Sequence, residues 1–296
     1  MPRGLSPVHP LELNTPSPLE QLDDDRLTRR GVRVLLKRDD LIHPDFPGNK
    51  WRKLAPNLVA AREQGHTTLL TFGGAYSNHL RAVAAAGHHF GFQTVGVVRG
   101  EQHLPLNEVL ASASDFGMRL TYLERAAYRD KTSADVLNRF RSEFGDCYVL
   151  PEGGSNALAV RGCAEIPREI AEPFNVICCA VGTGGTLAGI SSGLSDGQRA
   201  LGFAVLKGGD FLNDNVAVLQ RAAYGMMRSN WSIETGLHCG GYAKRTPALD
   251  TFMADFEQRH GVRLSWVYEA KMLLGLFGLV EAGRFPVDTT IVAVLA

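Results

Sequence analysis

Long apolar runs are missing from this sequence. Stretches such as residues 176–181 fall far short of the roughly 20 apolar residues that span a bilayer, so no membrane partner is expected. The opening residues MPRGLSPVHP lack the apolar core of a secretory signal. Cysteine is sparse: five residues, Cys147, Cys163, Cys178, Cys179 and Cys239, with no CxxC pair. That excludes a disulfide framework and a zinc knuckle, and suits a reducing, cytoplasmic setting. Excess charge of either sign is also absent. Lys+Arg and Asp+Glu both number 31, so the basic stripe of a nucleic-acid binder is not expected. Internal repeats, low-complexity tracts and flexible linkers are not found either. A globular enzyme or binding protein is what these exclusions leave.

At 296 residues and 45% hydrophobic content the chain can bury a sizeable core, and its length suggests about two domains. Short β-branched runs alternate with longer helical patterns. Strands are expected at 32–37, 68–72, 94–99, 119–123, 176–181, 203–207 and 290–295. Helices are expected at 49–64, 77–91, 107–116, 133–144, 157–171, 247–261 and 271–282, with another starting at 186. Pro56 marks a kink or break in the first helix. The Pro-rich residues up to Ser17 are expected to wrap a surface. Repeated β-α units predict parallel sheets covered by helices on both faces.

Four segments could carry chemistry. In Pro47-Gly48-Asn49-Lys50-Trp51-Arg52-Lys53, Gly48 permits an unusual turn and Asn49 suits a helix N-cap. Lys50 then opens a helix, where the dipole and the charges of Arg52 and Lys53 disfavour its ammonium form. A partly neutral lysine can attack a carbonyl and form a Schiff base. Lys50 and Lys53, three apart, can face one pocket. The same spacing also fits a solvated basic helix start, the usual fate of surface lysines.

In Thr71-Phe72-Gly73-Gly74-Ala75-Tyr76-Ser77-Asn78-His79 a strand ends and a helix opens. Ligands of open α/β sheets bind beyond the carboxyl ends of strands, so Ser77 and Asn78 are placed for an anion or an oxygen. An ordinary capped turn reads the same way. After the most apolar strand comes Gly182-Thr183-Gly184-Gly185-Thr186, whose N–H groups and hydroxyls could cradle one phosphate. It fails as a dinucleotide fingerprint, with Leu187 at the third glycine position, and as a Walker A loop, so a single phosphate is expected. Finally, Tyr268-Glu269 offers a phenol and a carboxylate at a helix start, and Tyr242 is flanked by glycines. Each tyrosine could equally be packing its ring and wetting its hydroxyl. Gly189-Ile190-Ser191-Ser192-Gly193 matches a nucleophile elbow. It lies beyond the turn, however, so Ser191 should sit inside a helix rather than at an elbow.

A reactive lysine, a mono-phosphate loop and a carboxylate suit the aldehyde, phosphate and ring nitrogen of pyridoxal 5′-phosphate. Together with Ser17-Pro18-Leu19-Glu20, Lys37-Arg38-Asp39-Asp40-Leu41 and Pro151-Glu152-Gly153-Gly154-Ser155-Asn156, these segments resemble the 1-aminocyclopropane-1-carboxylate deaminase / D-cysteine desulfhydrase family, and they run in that family's order. The resemblance implies a tryptophan-synthase-β-like (fold type II) α/β architecture. That means two open parallel-sheet α/β domains with a cofactor cleft between them: a large cofactor-binding domain of residues 1–50 and 155–296, and a small one of 51–154. It implies a homodimer acting on a small amino-acid substrate. Lys50 would bind the cofactor covalently, Asn78 would bond its 3′-oxygen, and Gly182, Thr183, Gly184, Gly185 and Thr186 would hold its phosphate with help from Lys53. Ser77 would meet the substrate carboxylate or relay a proton. Tyr242 and Tyr268 would flank the substrate, and Glu269 would face the pyridine nitrogen.

The leading expectation is D-cysteine desulfhydrase-like β-elimination to pyruvate, ammonia and sulfide. The alternative is a deaminase that opens the cyclopropane amino acid to 2-oxobutanoate. Glu269 leans toward the deaminase, and the phosphate-loop sequence toward the desulfhydrase. Family members continue past the last strand with a His-Thr-Gly-Gly type segment, whereas Leu295 and Ala296 stand where that segment would begin. This motivates a third expectation, a non-catalytic cofactor-binding protein.

Overall fold

The computed structural model describes residues 1, 4–46 and 48–296. It divides into two compact units, Met1–Leu13 with His43–Ser155, and Asn14–Ile42 with Asn156–Ala296. The division expected at 50/51 thus falls at 42/43, and residues 1–13 group with the smaller unit. Val8 explains the latter: its N–H donates to the His89 carbonyl at 2.7 Å.

In chain order the strands are β1 (Leu19–Gln21), β2 (Arg33–Arg38), β3 (Thr68–Gly73), β4 (Gln93–Arg99), β5 (Arg119–Leu123), β6 (Tyr148–Leu150), β7 (Val176–Val181), β8 (Arg199–Ala204), β9 (Trp231–Glu234) and β10 (Thr290–Leu295). The larger unit holds a six-stranded sheet in the order β1-β2-β10-β7-β8-β9, and the smaller unit a four-stranded sheet in the order β5-β4-β3-β6. Every pairing is parallel except β1 with β2.

β10 shows why the larger sheet needs helices on both faces. Ile291, Ala293 and Leu295 join a cluster with Phe252, Phe256, Leu273 and Leu276. The alternate residues Val292 and Val294 join another with Leu187, Ile190 and Val216. Successive side chains of a strand point to opposite faces, so an unbroken apolar run is stable only when covered twice. In the smaller sheet Leu70, Phe72, Val95 and Val97 pack with Leu123, Phe140 and Cys147.

Each sheet has one switch point. From β3 the chain proceeds outward through β4 and β5, then returns to the other side of β3 as β6. From β7 it proceeds through β8 and β9, then returns beside β7 as β10. Ligands of open α/β sheets collect beyond the carboxyl ends of strands at such points.

Several elements differ from expectation. The helix Lys50–Glu63 runs unbroken through Pro56, flanked by the buried Leu54, Ala55, Asn57 and Leu58. The helix expected over 157–171 is two, Ala157–Cys163 and Glu165–Arg168. Pro167 has no N–H to return to the Cys163 carbonyl, which ends the first piece. The strand expected at 203–207 is β8, four residues earlier, because its register is set by pairing Arg199–Ala204 against Val176–Val181.

Candidate active site

In the smaller unit Gly48 adopts φ +61° and Lys50 is the first residue of the helix Lys50–Glu63. The Asn49 side chain does not cap that helix. Its Oδ1 instead accepts a bond from Lys50 Nζ at 3.2 Å. Lys53, one turn on, is 4% exposed. Its ammonium donates to the Gly153 carbonyl at 3.2 Å and to Ser155 Oγ at 3.5 Å. A buried ammonium needs such acceptors. They tie the helix start carrying Lys50 to the loop beyond β6.

Beyond β3, Ser77 stands at the N-cap position of the helix Asn78–Phe90 but makes no side-chain capping bond. A Cβ on Gly73 would come within 2.7 Å of Ser77 Oγ, so only glycine lets the serine fold back over the strand end. Asn78 follows, half-buried, at the first helical position. Lys50, Lys53, Ser77 and Asn78 therefore all belong to the smaller unit. Lys53 and the Ser77–Asn78 turn sit on the two sides of its switch point.

His79 has no assigned role among the motif residues, yet it ties this region together. It is fully buried, and Nε2 lies 2.9 Å from Thr71 Oγ1, which itself donates to the Leu150 carbonyl at 3.0 Å. The threonine's proton is thus spent, so His79 donates from Nε2. Its ring lies against Gly154, where a Cβ would meet Cε1 at 2.8 Å. Burial pushes its pKa well below the ordinary value, and the charges of Lys50 and Lys53 push the same way, so the imidazole stays neutral. It fastens the start of its helix to β3 and to the end of β6. Its place at the second helical position of the quoted motif was the available signal.

In the larger unit the residues after β7 form a helix start. Gly184 takes φ +90° at the N-cap of the helix Gly185–Gly193, and a Cβ there would press on Val216 Cγ2 at 3.0 Å. The first N–H groups of a helix have no partner within it and favour an anion. Thr186 is buried, and Gly182 and Thr183 are half-buried. A Cβ on Gly182 would lie 3.6 Å from the Tyr268 ring. The Tyr268 and Tyr242 hydroxyls are 3.4 Å apart, with their rings edge-on. Glu269 opens the helix Glu269–Glu281, is 6% exposed, and accepts from the Ala296 N–H at 3.1 Å, at the carboxyl end of β10. Gly182, Tyr242, Tyr268 and Glu269 thus gather around the β7–β10 switch point.

Lys271 is a second residue given no role from sequence. It is fully buried, and its Nζ donates to the Gly241 carbonyl at 2.6 Å, fixing the loop that presents Tyr242. Burial lowers its pKa. Leu295, at the position where the family resemblance led to histidine, is a buried β10 residue paired with Arg38. Ser191 is fully buried, and its Oγ donates to the Leu187 carbonyl at 2.7 Å, so it is no nucleophile elbow.

Taken unit by unit, these groups suit parts of pyridoxal phosphate. The smaller unit offers an amine at a helix start, with Asn78 and Ser77 as polar partners. The larger unit offers a helix N-terminus for a phosphate and a carboxylate that can hold a proton on a ring nitrogen.

A family model described as "Pyridoxal-phosphate dependent enzyme" matches residues 10–296. Over 91% of this chain and 73% of its own length, an Arabidopsis thaliana protein named bifunctional D-cysteine desulfhydrase/1-aminocyclopropane-1-carboxylate deaminase, mitochondrial, is 29% identical. A Salmonella paratyphi B protein named D-cysteine desulfhydrase is 27% identical over 93% of this chain and 89% of its own. A crystal structure of an ACC deaminase homologue superposes with a TM-score of 0.83 at 26% identity, covering 97% of this chain and 90% of that one.

Proposed function

The chain belongs to the pyridoxal-phosphate dependent enzymes, and from that premise we propose that it is a D-cysteine desulfhydrase-like lyase. D-cysteine and water would give pyruvate, ammonia and hydrogen sulfide. The relatives bearing that name support the substrate class. The observation that carries the reading is the complementary make-up of the two switch points. One is tied through Lys53 to the helix start that bears Lys50, and the other bears an anion-binding helix start and a buried carboxylate.

When bound, pyridoxal phosphate supplies an electron sink for negative charge at the substrate α-carbon. Lys50 Nζ would hold the cofactor at its aldehyde end and, as a free amine, would take the proton from the substrate α-carbon. Residues 182–186 would hold the phosphate with Lys53 assisting, and Asn78 would bond the 3′-oxygen. Ser77 Oγ receives the substrate carboxylate or relays a proton. Tyr242 and Tyr268 would flank the substrate, and Glu269 would keep a proton on the ring nitrogen, which deepens the sink. In this reading the larger unit is the cofactor-binding domain, and the working form is a homodimer. A cytoplasmic location goes with it, in keeping with the sparse cysteines and the lack of a CxxC pair.

Glu269 favours a second reading, 1-aminocyclopropane-1-carboxylate deaminase. That substrate has no α-proton, so ring opening needs an acid or nucleophile such as Tyr268. Water is consumed, and the products are 2-oxobutanoate and ammonia. A keto-acid assay against D-cysteine, L-cysteine, D-serine and the cyclopropane amino acid separates the readings. Pyruvate from D-cysteine, lost in Lys50→Ala, is the expected result. Bound cofactor with no keto acid from any of the four would contradict both and leave a non-catalytic binder.

A further inference from the structure

The helix Asn78–Phe90 carries Asn78 at one end and His89 near the other, roughly 16 Å away at 1.5 Å per residue. At that far end His43 and Asp45 come from the turn that follows residue 42. Asp45 Oδ2 lies 2.7 Å from His89 Nε2 and 3.9 Å from His43 Nδ1. The three side chains offer one ligand atom each, all within 4.8 Å of one another. The turn is held from several sides. Arg81 donates to the Pro44 carbonyl at 3.0 Å, the Asp45 N–H donates to His43 Nδ1 at 3.1 Å, and the fully buried Phe46 ring packs against both imidazoles.

We propose that His43, Asp45 and His89 form a binding site for a divalent transition-metal ion of the zinc type. Two neutral imidazoles and one carboxylate leave a divalent ion with a single net positive charge and open positions for water. A hydrogen bond between Asp45 and His89 needs only one imidazole. The second supplies the third donor that a chelate requires. Zinc sits about 2.0–2.2 Å from nitrogen and oxygen donors, so the widest separation must close by roughly an ångström or more. The side chains that must turn, His43 and Asp45, are the partly exposed ones. His89 would shift its proton to Nδ1, which is buried and has no hydrogen-bond partner. That cost points to moderate rather than extreme affinity. The site does not depend on the proposed reaction, although Asp45 stands only five positions before Lys50.

The test is calorimetric titration of the cofactor-loaded full chain with Zn²⁺ alone, in a non-chelating buffer at neutral pH. The expected result is one saturable site per chain. His43→Gln, Asp45→Asn and His89→Gln should each weaken it by about 10–100-fold or more, the range that loss of even an outer partner costs a metal site. Cys239→Ser and the exposed His103→Gln should leave it unchanged. Should His89→Gln fail to fold, the partly exposed Asp45→Asn decides, with circular dichroism as the folding control. Absence of saturable binding, or equal binding by the parent and the Asp45→Asn chain, would overturn the proposal.

Discussion

The two sheets place candidate groups at the same topological position but with different materials. The smaller sheet uses side chains: an amine, a hydroxyl, an amide and a neutral imidazole, locked by bonds such as Lys53 to Gly153 and His79 to Thr71. The larger sheet uses backbone, with Gly184 turned to φ +90° ahead of a helix start and the Ala296 N–H given to Glu269. A group that must exchange covalent partners has to be a side chain. A group that only holds a phosphate is better built from fixed N–H dipoles, which cost no rotamer entropy.

The largest effect should come from breaking the smaller side of this comparison. Lys50→Ala is expected to lower turnover by about 10²–10⁴-fold or more, the usual contribution of a positioned base. Thermal stability should barely change, since Lys50 is half-buried at a helix end; steady-state kinetics and a melting curve check the pair. If both fell together, Lys50 would be a structural residue.

Acid should sharpen the contrast. His79 has its folded pKa depressed, so its contribution is present above the unfolded value near 6.5 and is lost as pH falls below it. Asp24, in the larger unit, is also depressed. Burial works to raise it, but hydrogen bonds from Arg26 and His260 outweigh burial and hold it at about 2. Its contribution, about 2 kcal/mol, is present above roughly pH 4 and is lost between there and pH 2. Hydrogen exchange followed against pH should therefore show residues around His79 loosening first and those around Asp24 last. The reverse order would contradict these assignments.

Gly184→Ala should have the smallest effect. It forces a Cβ into a left-handed conformation against Val216, costing about 1–2 kcal/mol. Cofactor affinity should fall while turnover of the loaded enzyme stays near the parent's. A large loss of turnover at saturating cofactor would place chemistry, rather than grip, on this loop.

Much of this was legible in the sequence, for identifiable reasons. β7 and β10 are unbroken apolar runs, and the loops after β3 and β7 carry glycines where a strand must turn into a helix. The three-residue strands β1 and β6 and the four-residue β9 are too short to show a period. The helix Leu212–Tyr224 mixes polar residues through its apolar stripe and was not anticipated. Among the candidate groups, glycine-rich turns point to Lys50 and Asn78, and Glu269 stands out as a carboxylate at an apolar helix start. They did not expose His79 or Lys271. Both are polar residues within two positions of assigned ones, and their importance lies in burial and in their partners: Thr71 Oγ1, itself bonded to the distant Leu150 carbonyl, in one case and the Gly241 carbonyl in the other. Such pairings are set by strand order, which local periodicity does not encode.

The central assignment is the amine that takes the cofactor. Borohydride reduction of the cofactor-loaded protein, then proteolysis and mass spectrometry, reads that directly. The expected result is a single pyridoxyl-phosphate mark on the peptide containing Lys50. A mark confined to Lys53 or Lys271, or no mark on a protein that still turns over D-cysteine, would contradict it.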